Sequence, residues 1–284
     1  MSGKKQKLYH AQDFHTGMGI RNLQKRGYYL CRSGVYSMSK VRMTCLGSGD
    51  AFSSGGRRMS GYFIETPESA LLLDCGPNVL EALRNLHLST ASLDMVFLSH
   101  LHGDHFGGMP FLFLYCLYIE PRTRPLRIAG SPGTENRVRS LFELTYTDKA
   151  AEPFPFNLGF VDAIPGVAIE TKDIRIIPFP VPHQASPPSL GCEIIAGGRK
   201  IVYSGDSGWT GELPAHTQGA DLFLCECMFF ESSSDTHLDY PRIMENRDRF
   251  GAKRIILTHL GQEVLDRRDE IGLEMAYDGL VIEL

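Results

Sequence analysis

Residues 99–108 read SHLHGDHFGG. Six consecutive positions of this stretch contain four side chains that can bind a metal: His100, His102, Asp104 and His105. Zinc and other borderline divalent metals prefer imidazole nitrogens and carboxylate oxygens as ligands. An apolar run of strand type precedes the stretch at 94–99, and an apolar run of helix length follows it at 109–119. The pattern therefore predicts a metal-binding turn between a strand and a helix, with glycines that let the backbone bend sharply.

Three other potential ligands share a position relative to the predicted strands. His183, Asp206 and His259 each lie at or just after the end of an apolar run that reads as a strand. Because strand ends at one edge of a sheet converge in space, we expect these side chains to join the histidine-rich turn. Seven ligands exceed the needs of one zinc ion and suit two metals roughly 3.5–4 Å apart. Our assignment gives the first metal His100, His102 and His183, the second metal Asp104, His105 and His259, and makes Asp206 the bridge.

The predicted pair of cations has a defined chemical consequence. Two cations lower the pKa of a shared water toward neutrality, so a bridging hydroxide becomes the expected nucleophile. We count Asp104 among the catalytic residues as well as among the ligands. The imidazole-rich ligand set favours zinc, although manganese or iron fits the same residues.

Asp74 ends another apolar strand, LLLD, and a carboxylate at the end of a buried strand needs a partner. Two interpretations stay open for it. Asp74 either hydrogen-bonds a metal ligand from behind and orients it, or caps the helix predicted at 78–86. Trp209, just past Asp206, is likewise consistent with lining a pocket or packing in the core.

The composition is that of an ordinary globular protein, with 43% hydrophobic and 22% charged residues among 284. Predicted strands alternate with helices, and the strands are apolar throughout, which indicates sheets that helices cover. We expect irregular connections at 148–166, helices at 240–250, 263–268 and 270–276, and a closing strand at 280–284. No apolar run reaches the roughly 18 residues of a membrane span, and the N-terminus lacks the apolar segment of a signal peptide. Seven scattered cysteines indicate reduced, buried thiols in the cytoplasm, and the pair Cys225 and Cys227 has no second pair to complete a metal site.

The charge is uneven along the chain. Residues 1–42 contain nine Lys and Arg against one acidic residue, a net +8, and the remainder carries −12. We interpret residues 1–40 as a basic, mobile N-terminal extension. The alternatives are a start site placed too early, with Met38 or Met43 as the first residue, an arm that binds nucleic-acid phosphates, and a transit peptide.

The motif HLHGDHFGG after an apolar strand resembles that of the metallo-β-lactamase-fold hydrolases, and most of all their ribonuclease Z branch. The resemblance covers about residues 41–284. It implies a four-layer αββα sandwich of two mixed β-sheets with outer helices, formed as a single domain of two similar halves over 41–284. It also implies the same seven metal ligands, and it matches Asp74 to a family aspartate. A further family pair matches Glu226 and His237, where the carboxylate orients the imidazole and raises its pKa so that His237 protonates the leaving group.

We therefore expect a dinuclear-metal-dependent hydrolase, a phosphodiesterase acting on a small-molecule, nucleotide or RNA phosphodiester. Transfer RNA is not the expected substrate. The family's His-Ser-Thr is His237-Leu238-Asp239 here, no basic arm stands between His105 and Asp206, and the body is acidic. The alternatives are a hydrolase of a lactone, thioester or sulfate ester, and a metal-binding protein without turnover. The assembly is left open between a monomer and a homodimer.

Overall fold

A computed structural model describes residues 40–284 throughout and, before them, only the backbone of two short strands, β1 (Tyr28–Cys31) and β2 (Gly34–Ser37), which pair antiparallel. Chain contacts separate Met1–Ser39 from Lys40–Leu284, and each unit is described by itself. The sequence had not indicated the β1–β2 pair. The predicted mobility of the rest of the extension concerns residues outside the described part.

Two seven-stranded sheets form the body. The first contains, in spatial order, β16 (Val281–Glu283), β3 (Arg42–Gly47), β4 (Gly61–Glu65), β5 (Ala70–Leu73), β6 (Leu93–Phe97), β7 (Leu126–Gly130) and β8 (Leu158–Asp162). The second contains β15 (Glu274–Met275), β14 (Ile255–Thr258), β13 (Leu222–Glu226), β12 (Arg199–Tyr203), β11 (Pro188–Ala196), β10 (Ile174–Ala185) and β9 (Ile169–Thr171). Each sheet has three antiparallel pairs at one end and three parallel pairs at the other, so the two halves repeat one pattern, as the resemblance implied.

Helices cover the outer faces of both sheets. They are α1 (Val79–Asn85), α2 (Gly103–Phe106), α3 (Met109–Tyr118), α4 (Thr134–Thr145), α5 (Thr147–Ala150), α6 (Leu213–Thr217), α7 (Tyr240–Glu245) and α8 (Gln262–Asp266). Within residues 40–284, none of these helices has the length and apolar character that crossing a bilayer demands.

Burial on both faces explains why the strands read as unbroken apolar runs. In β5, Leu71 and Leu73 join a core between the sheets, whereas Ala70 and Leu72 join a second core beneath α1, α3 and α4. A third core lies under α6, α7 and α8 on the outer face of the second sheet. Side chains of one strand point alternately to opposite faces, so a strand covered twice must be apolar at every position. The four-layer αββα sandwich predicted for this chain is confirmed.

Several local predictions were wrong. The helix predicted at 270–276 is a 3-10 turn at Arg268–Glu270 followed by β15, because pairing with β14 overrides local helix propensity. The stretch 148–166 is not merely irregular, since it contains part of α5 and all of β8. The helix predicted at 240–250 ends at Glu245, and a 3-10 turn continues it.

Candidate metal centre

The residues predicted as ligands lie together at one edge of the two sheets. His100 and His102 follow β6, and Asp104 and His105 occupy the short helix α2. The three distant residues come from the second sheet: His183 from the end of β10, Asp206 from the turn after β12 and His259 from the residue after β14. All seven therefore converge as the strand-end argument predicted, although they come from two different sheets.

The first group of ligand atoms consists of three imidazole nitrogens. Nε2 of His100 and Nε2 of His183 each lie 3.0 Å from Nδ1 of His102. His100 is almost fully buried, whereas His102 is exposed, so this group lies at the mouth of the site.

The second group consists of Asp104, His105, Asp206 and His259, and it is buried. Nε2 of His105 lies 3.1 Å from Oδ2 of Asp104 and 3.2 Å from Oδ2 of Asp206. Nε2 of His259 lies 3.3 Å from the same Asp206 oxygen.

Asp206 connects the two groups through one atom. Its Oδ2 also lies 3.8 Å from Nε2 of His100 and 3.9 Å from Nε2 of His183. A single carboxylate oxygen thus faces four imidazole nitrogens, two from each group. This is the position that a bridging ligand requires.

Hydrogen bonds behind the ligands determine which ring nitrogen faces the centre. Nδ1 of His183 donates to the carbonyl oxygen of Thr236 at 2.9 Å, and Nδ1 of His105 lies 2.8 Å from Oδ2 of Asp74. A proton on each of these Nδ1 atoms leaves the Nε2 lone pair directed at the centre, as metal coordination needs.

Asp74 is a hydrogen-bonded hub rather than a helix cap. Its carboxylate accepts from the backbone N–H and the hydroxyl of Ser99 at 2.7 and 2.8 Å, and from the Tyr203 hydroxyl at 2.8 Å, besides its contact with His105. The sequence offered no signal for Tyr203, because it reaches Asp74 from the opposite sheet. Of the two interpretations of Asp74, the structure favours the one in which it orients a ligand.

The backbone is strained at two of these positions. Asp74 and His259 adopt left-handed φ values of 56° and 50°, which non-glycine residues rarely occupy. Beside Asp206, Gly205 has a φ of 60°, and a Cβ atom there would lie 2.6 Å from the carbonyl oxygen of Leu190. The turn that presents Asp206 therefore requires glycine at 205.

Glu226 and His237 form the predicted pair. Oε1 of Glu226 lies 3.0 Å from Nδ1 of His237 and accepts the backbone N–H of Ser207 at 2.6 Å. The His237 ring stacks on His259 with centroids 5.7 Å apart and meets the His183 ring edge-on at 4.7 Å. With Nδ1 directed at Glu226, Nε2 of His237 is the atom left to exchange a proton.

The site concentrates opposite charges in a buried volume. Burial opposes the charged form of His105, but the carboxylates of Asp206, Asp74 and Asp104 outweigh it and raise its pKa well above 6.5. Burial acts against ionised Asp206 too, yet His105 and His259 hold its pKa well below 3.8. Burial lowers the pKa of His100. Burial raises the pKa of Glu226, although the hydrogen bond from His237 acts in the opposite direction. The same hydrogen bond raises the pKa of His237, against the effect of its own burial.

The residues present fit a divalent metal pair. Nε2 of His105 and Oδ1 of Asp206 are buried and make no hydrogen bond within the described part of the chain. Two buried carboxylate oxygens that lie 3.1 and 3.2 Å from this nitrogen call for positive charge at the centre, which a divalent cation would supply. Imidazole and carboxylate donors are those of zinc and of comparable divalent metals. The cysteines do not contribute, since Cys225 and Cys227 are buried thiols outside every candidate cluster in residues 40–284.

The comparison with known proteins agrees with this geometry. Residues 70–260 match the family model described as a beta-lactamase superfamily domain. The chain belongs to this superfamily. This superfamily member is 26% identical over 280 residues to the ribonuclease Z of Ignicoccus hospitalis, an alignment that covers 81% of the chain and 91% of the relative.

Solved structures share the fold of this superfamily member. The metallo-beta-lactamase fold protein YhfI from Bacillus subtilis superposes with a TM-score of 0.70 at 21% identity, covering 87% of the chain and 100% of YhfI. The short form of human tRNase Z superposes with a TM-score of 0.69 at 24% identity, covering 85% of the chain and 98% of the human protein.

Proposed function

We propose that this protein is a hydrolase of phosphodiesters that works with two divalent metal ions, zinc in the first place. The observation that carries the proposal is the position of Asp206, whose Oδ2 lies 3.2–3.9 Å from imidazole nitrogens of both ligand groups. The ribonuclease Z relative supports a phosphodiester as the bond that is cleaved. His100, His102 and His183 would hold one ion, Asp104, His105 and His259 the other, and Asp206 both.

Bound there, the two cations would lower the pKa of a water between them and stabilise the negative charge that develops on the phosphoryl oxygens. Asp74 keeps the proton of His105 on Nδ1, which keeps Nε2 available as a ligand. The backbone carbonyl of Thr236 does the same for His183. These residues act before the reaction begins, because they fix the ligand atoms in place.

Glu226 and His237 supply the proton that the reaction needs. A water oxygen forms a bond to phosphorus while the bond to the leaving alcohol oxygen breaks, and that oxygen takes a proton from Nε2 of His237. The attacking water gives up one proton to solvent, and solvent returns one proton to Nε2 of His237, so the charges balance and His237 regains its starting state. Glu226 holds the ring through Nδ1 at 3.0 Å and favours the protonated imidazole. The Thr236 carbonyl orients the ligand His183, and the next residue in the chain is His237. The same loop therefore contacts a metal ligand and supplies the proton donor.

The test is hydrolysis of bis(p-nitrophenyl) phosphate by the purified full-length protein, with zinc or manganese added and with EDTA as the metal-free arm. We expect turnover that EDTA abolishes, and weaker or no turnover of lactone, thioester and sulfate ester substrates. Cleavage of a lactone without cleavage of any phosphodiester would overturn the proposal in favour of another ester. Metal binding without turnover of any substrate would instead indicate a binding protein.

A further inference from the structure

A cavity of about 330 Å³ opens beside His237 on the side of α7. Its lining includes Trp209, Ser233, Ser234, Asp235, His237 and Arg242. A second cavity, of about 440 Å³, shares the walls formed by Trp209, Ser233 and Arg242 and continues the first. Sites for small molecules span roughly 300–1,000 Å³, so the first cavity suits one small group rather than a nucleic-acid helix.

Trp209 forms a platform in the cavity wall that packing holds in place. The guanidinium of Arg249 lies 5.7 Å from the centroid of its ring, and the Phe250 ring meets it edge-on at 6.2 Å. The indole is half-buried and joins the core beneath α7. A fixed aromatic plane of this kind binds flat, partly polar groups such as nucleobases by stacking. Both sequence-based interpretations of Trp209 therefore hold together, since it packs below and lines a cavity above.

The charges in the wall favour a neutral group over a second phosphate. The carboxylates of Asp235 and Asp239 line the cavity, and beside the His237 imidazole Arg242 is the one positively charged side chain among its described lining residues. Oδ1 of Asp239 accepts the backbone N–H of Arg242, while the Arg242 guanidinium forms no ion pair with the residues that the structure describes. Carboxylates repel a phosphate but accept hydrogen bonds from sugar hydroxyls, and serine hydroxyls can both donate to and accept from the same sugar hydroxyls. The unpaired guanidinium can donate to the carbonyl or ring nitrogen of a base.

We infer that this cavity binds the nucleoside that leaves when the phosphodiester is cleaved. The base stacks on Trp209 and accepts from Arg242, and the ribose hydroxyls face Asp235 and the two serines. His237 stands at the boundary between this cavity and the ligand cluster, so its proton is delivered to the sugar oxygen of the group held there. The role of this nucleoside as the leaving group rests on the proposed function, whereas the binding of a nucleoside rests on the cavity alone.

The chain contains one tryptophan, so its fluorescence reports on this cavity and on nothing else. In the experiment, adenosine or ribose is added stepwise to the full-length protein while the fluorescence of Trp209 is recorded. The same additions are made to a separate solution of the free amide of tryptophan, which serves as a reference fluorophore without a binding site. We expect adenosine to quench Trp209 in a saturable manner, ribose to give little quenching, and the reference to be quenched only in proportion to concentration. Uridine is titrated as a second nucleoside. Because its absorbance differs from that of adenosine, the comparison separates quenching by binding from absorption of light by the nucleoside.

Variants separate specific binding from contact at the surface. Arg242→Ala removes one donor and should raise the dissociation constant for adenosine roughly three- to tenfold. Arg247→Ala is the matched control, because Arg247 is an exposed arginine on the neighbouring turn and lies outside the cavity wall. It should leave the constant unchanged.

Non-saturable quenching equal to that of the reference, or equal effects of the two arginine variants, would overturn the inference. Activity on bis(p-nitrophenyl) phosphate distinguishes it from the proposed function. Hydrolysis without saturable quenching removes the nucleoside site and leaves the phosphodiesterase. Saturable quenching without hydrolysis removes the leaving-group role and leaves the nucleoside site.

Discussion

Oδ2 of Asp74 lies 2.8 Å from Nδ1 of His105, and both side chains are fully buried between the two sheets. The same oxygen accepts the Tyr203 hydroxyl, also at 2.8 Å, so one carboxylate joins a candidate ligand of the first sheet's edge to a strand of the second. This contact makes the orientation of His105 depend on how the sheets pack against each other. The candidate metal centre and the core are therefore coupled through Asp74.

Replacing that carboxylate tests the coupling. Asp74→Asn keeps the shape and tolerates the left-handed backbone, but an amide has one acceptor oxygen for the four donors that now share two, so it holds the His105 proton on Nδ1 less firmly. We expect zinc affinity to fall about 10- to 100-fold, measured by competition with a chromogenic chelator. Tyr203→Phe removes one of the four hydrogen bonds to Asp74 and should give a smaller loss. Unchanged affinity in Asp74→Asn, matching the exposed control Asp269→Asn, would remove Asp74 from this role.

Asp206 supplies the second prediction. Asp206→Ala deletes the one carboxylate in residues 40–284 that lies within 4 Å of imidazole nitrogens of both ligand groups, so we expect the second metal to be lost along with activity. Metal content per chain, measured by elemental analysis after zinc loading and gel filtration, is the direct readout. Circular dichroism checks that the variant is folded. Two metals retained in Asp206→Ala would contradict a bridging position.

His237 is predicted to act on the leaving group rather than on the metals. His237→Ala should retain its metal content and lower kcat for an alkyl phosphodiester about 10²- to 10⁴-fold, because an alkoxide cannot leave without a proton. The loss should be much smaller for bis(p-nitrophenyl) phosphate, whose leaving nitrophenolate needs none. His87→Asn is a matched surface control, since asparagine tolerates the left-handed φ of 56° at that position. An equal loss on both substrates would refute the role.

The four candidate ligands of residues 100–105 could be predicted from their spacing and the three at strand ends from their position after apolar runs, because ligand chemistry and strand ends both leave local patterns. Contacts made across the sheets leave none. Tyr203 is one apolar-strand residue among many until the second sheet places its hydroxyl against Asp74.

The mispredicted elements have the same origin. β15 has only two residues, and it is a strand because β14 offers an unpaired edge, while its own sequence favours a helix. In β8, Phe160 and Val161 pair with β7 in a stretch whose prolines suggested a loop. Tertiary pairing decided these short segments, whereas strands buried on both faces could be read directly from their apolar runs.

Hydrogen bonds to Glu263 fix the loop that contains His237, and these bonds lead to a prediction about pH. The Glu263 carboxylate in α8 accepts hydrogen bonds from the Ser232 hydroxyl and from the backbone N–H groups of Phe230, Glu231 and Ser232 at 3.1 Å each. The hydrogen bonds from Ser232, followed by those of the two preceding residues, outweigh partial burial and lower the pKa of Glu263 to about 2.

A carboxylate whose pKa is lower in the folded than in the unfolded chain stabilises the fold above its unfolded pKa of about 4.3, and this contribution is lost as the pH falls toward 2. Glu263→Gln should therefore be less stable than the wild type at neutral pH, by an amount that solvent exposure keeps small. The gap in free energy of unfolding, measured in urea, should close progressively below about pH 4. The amides of residues 230–232 should exchange hydrogen faster in the variant at neutral pH. Glu270→Gln, at an exposed glutamate in the next turn, is the control that should show neither effect. If the difference in free energy of unfolding stayed constant down to about pH 2.5, the charge of Glu263 would not hold the loop. A contribution from the ionised carboxylate must disappear as that carboxylate is protonated.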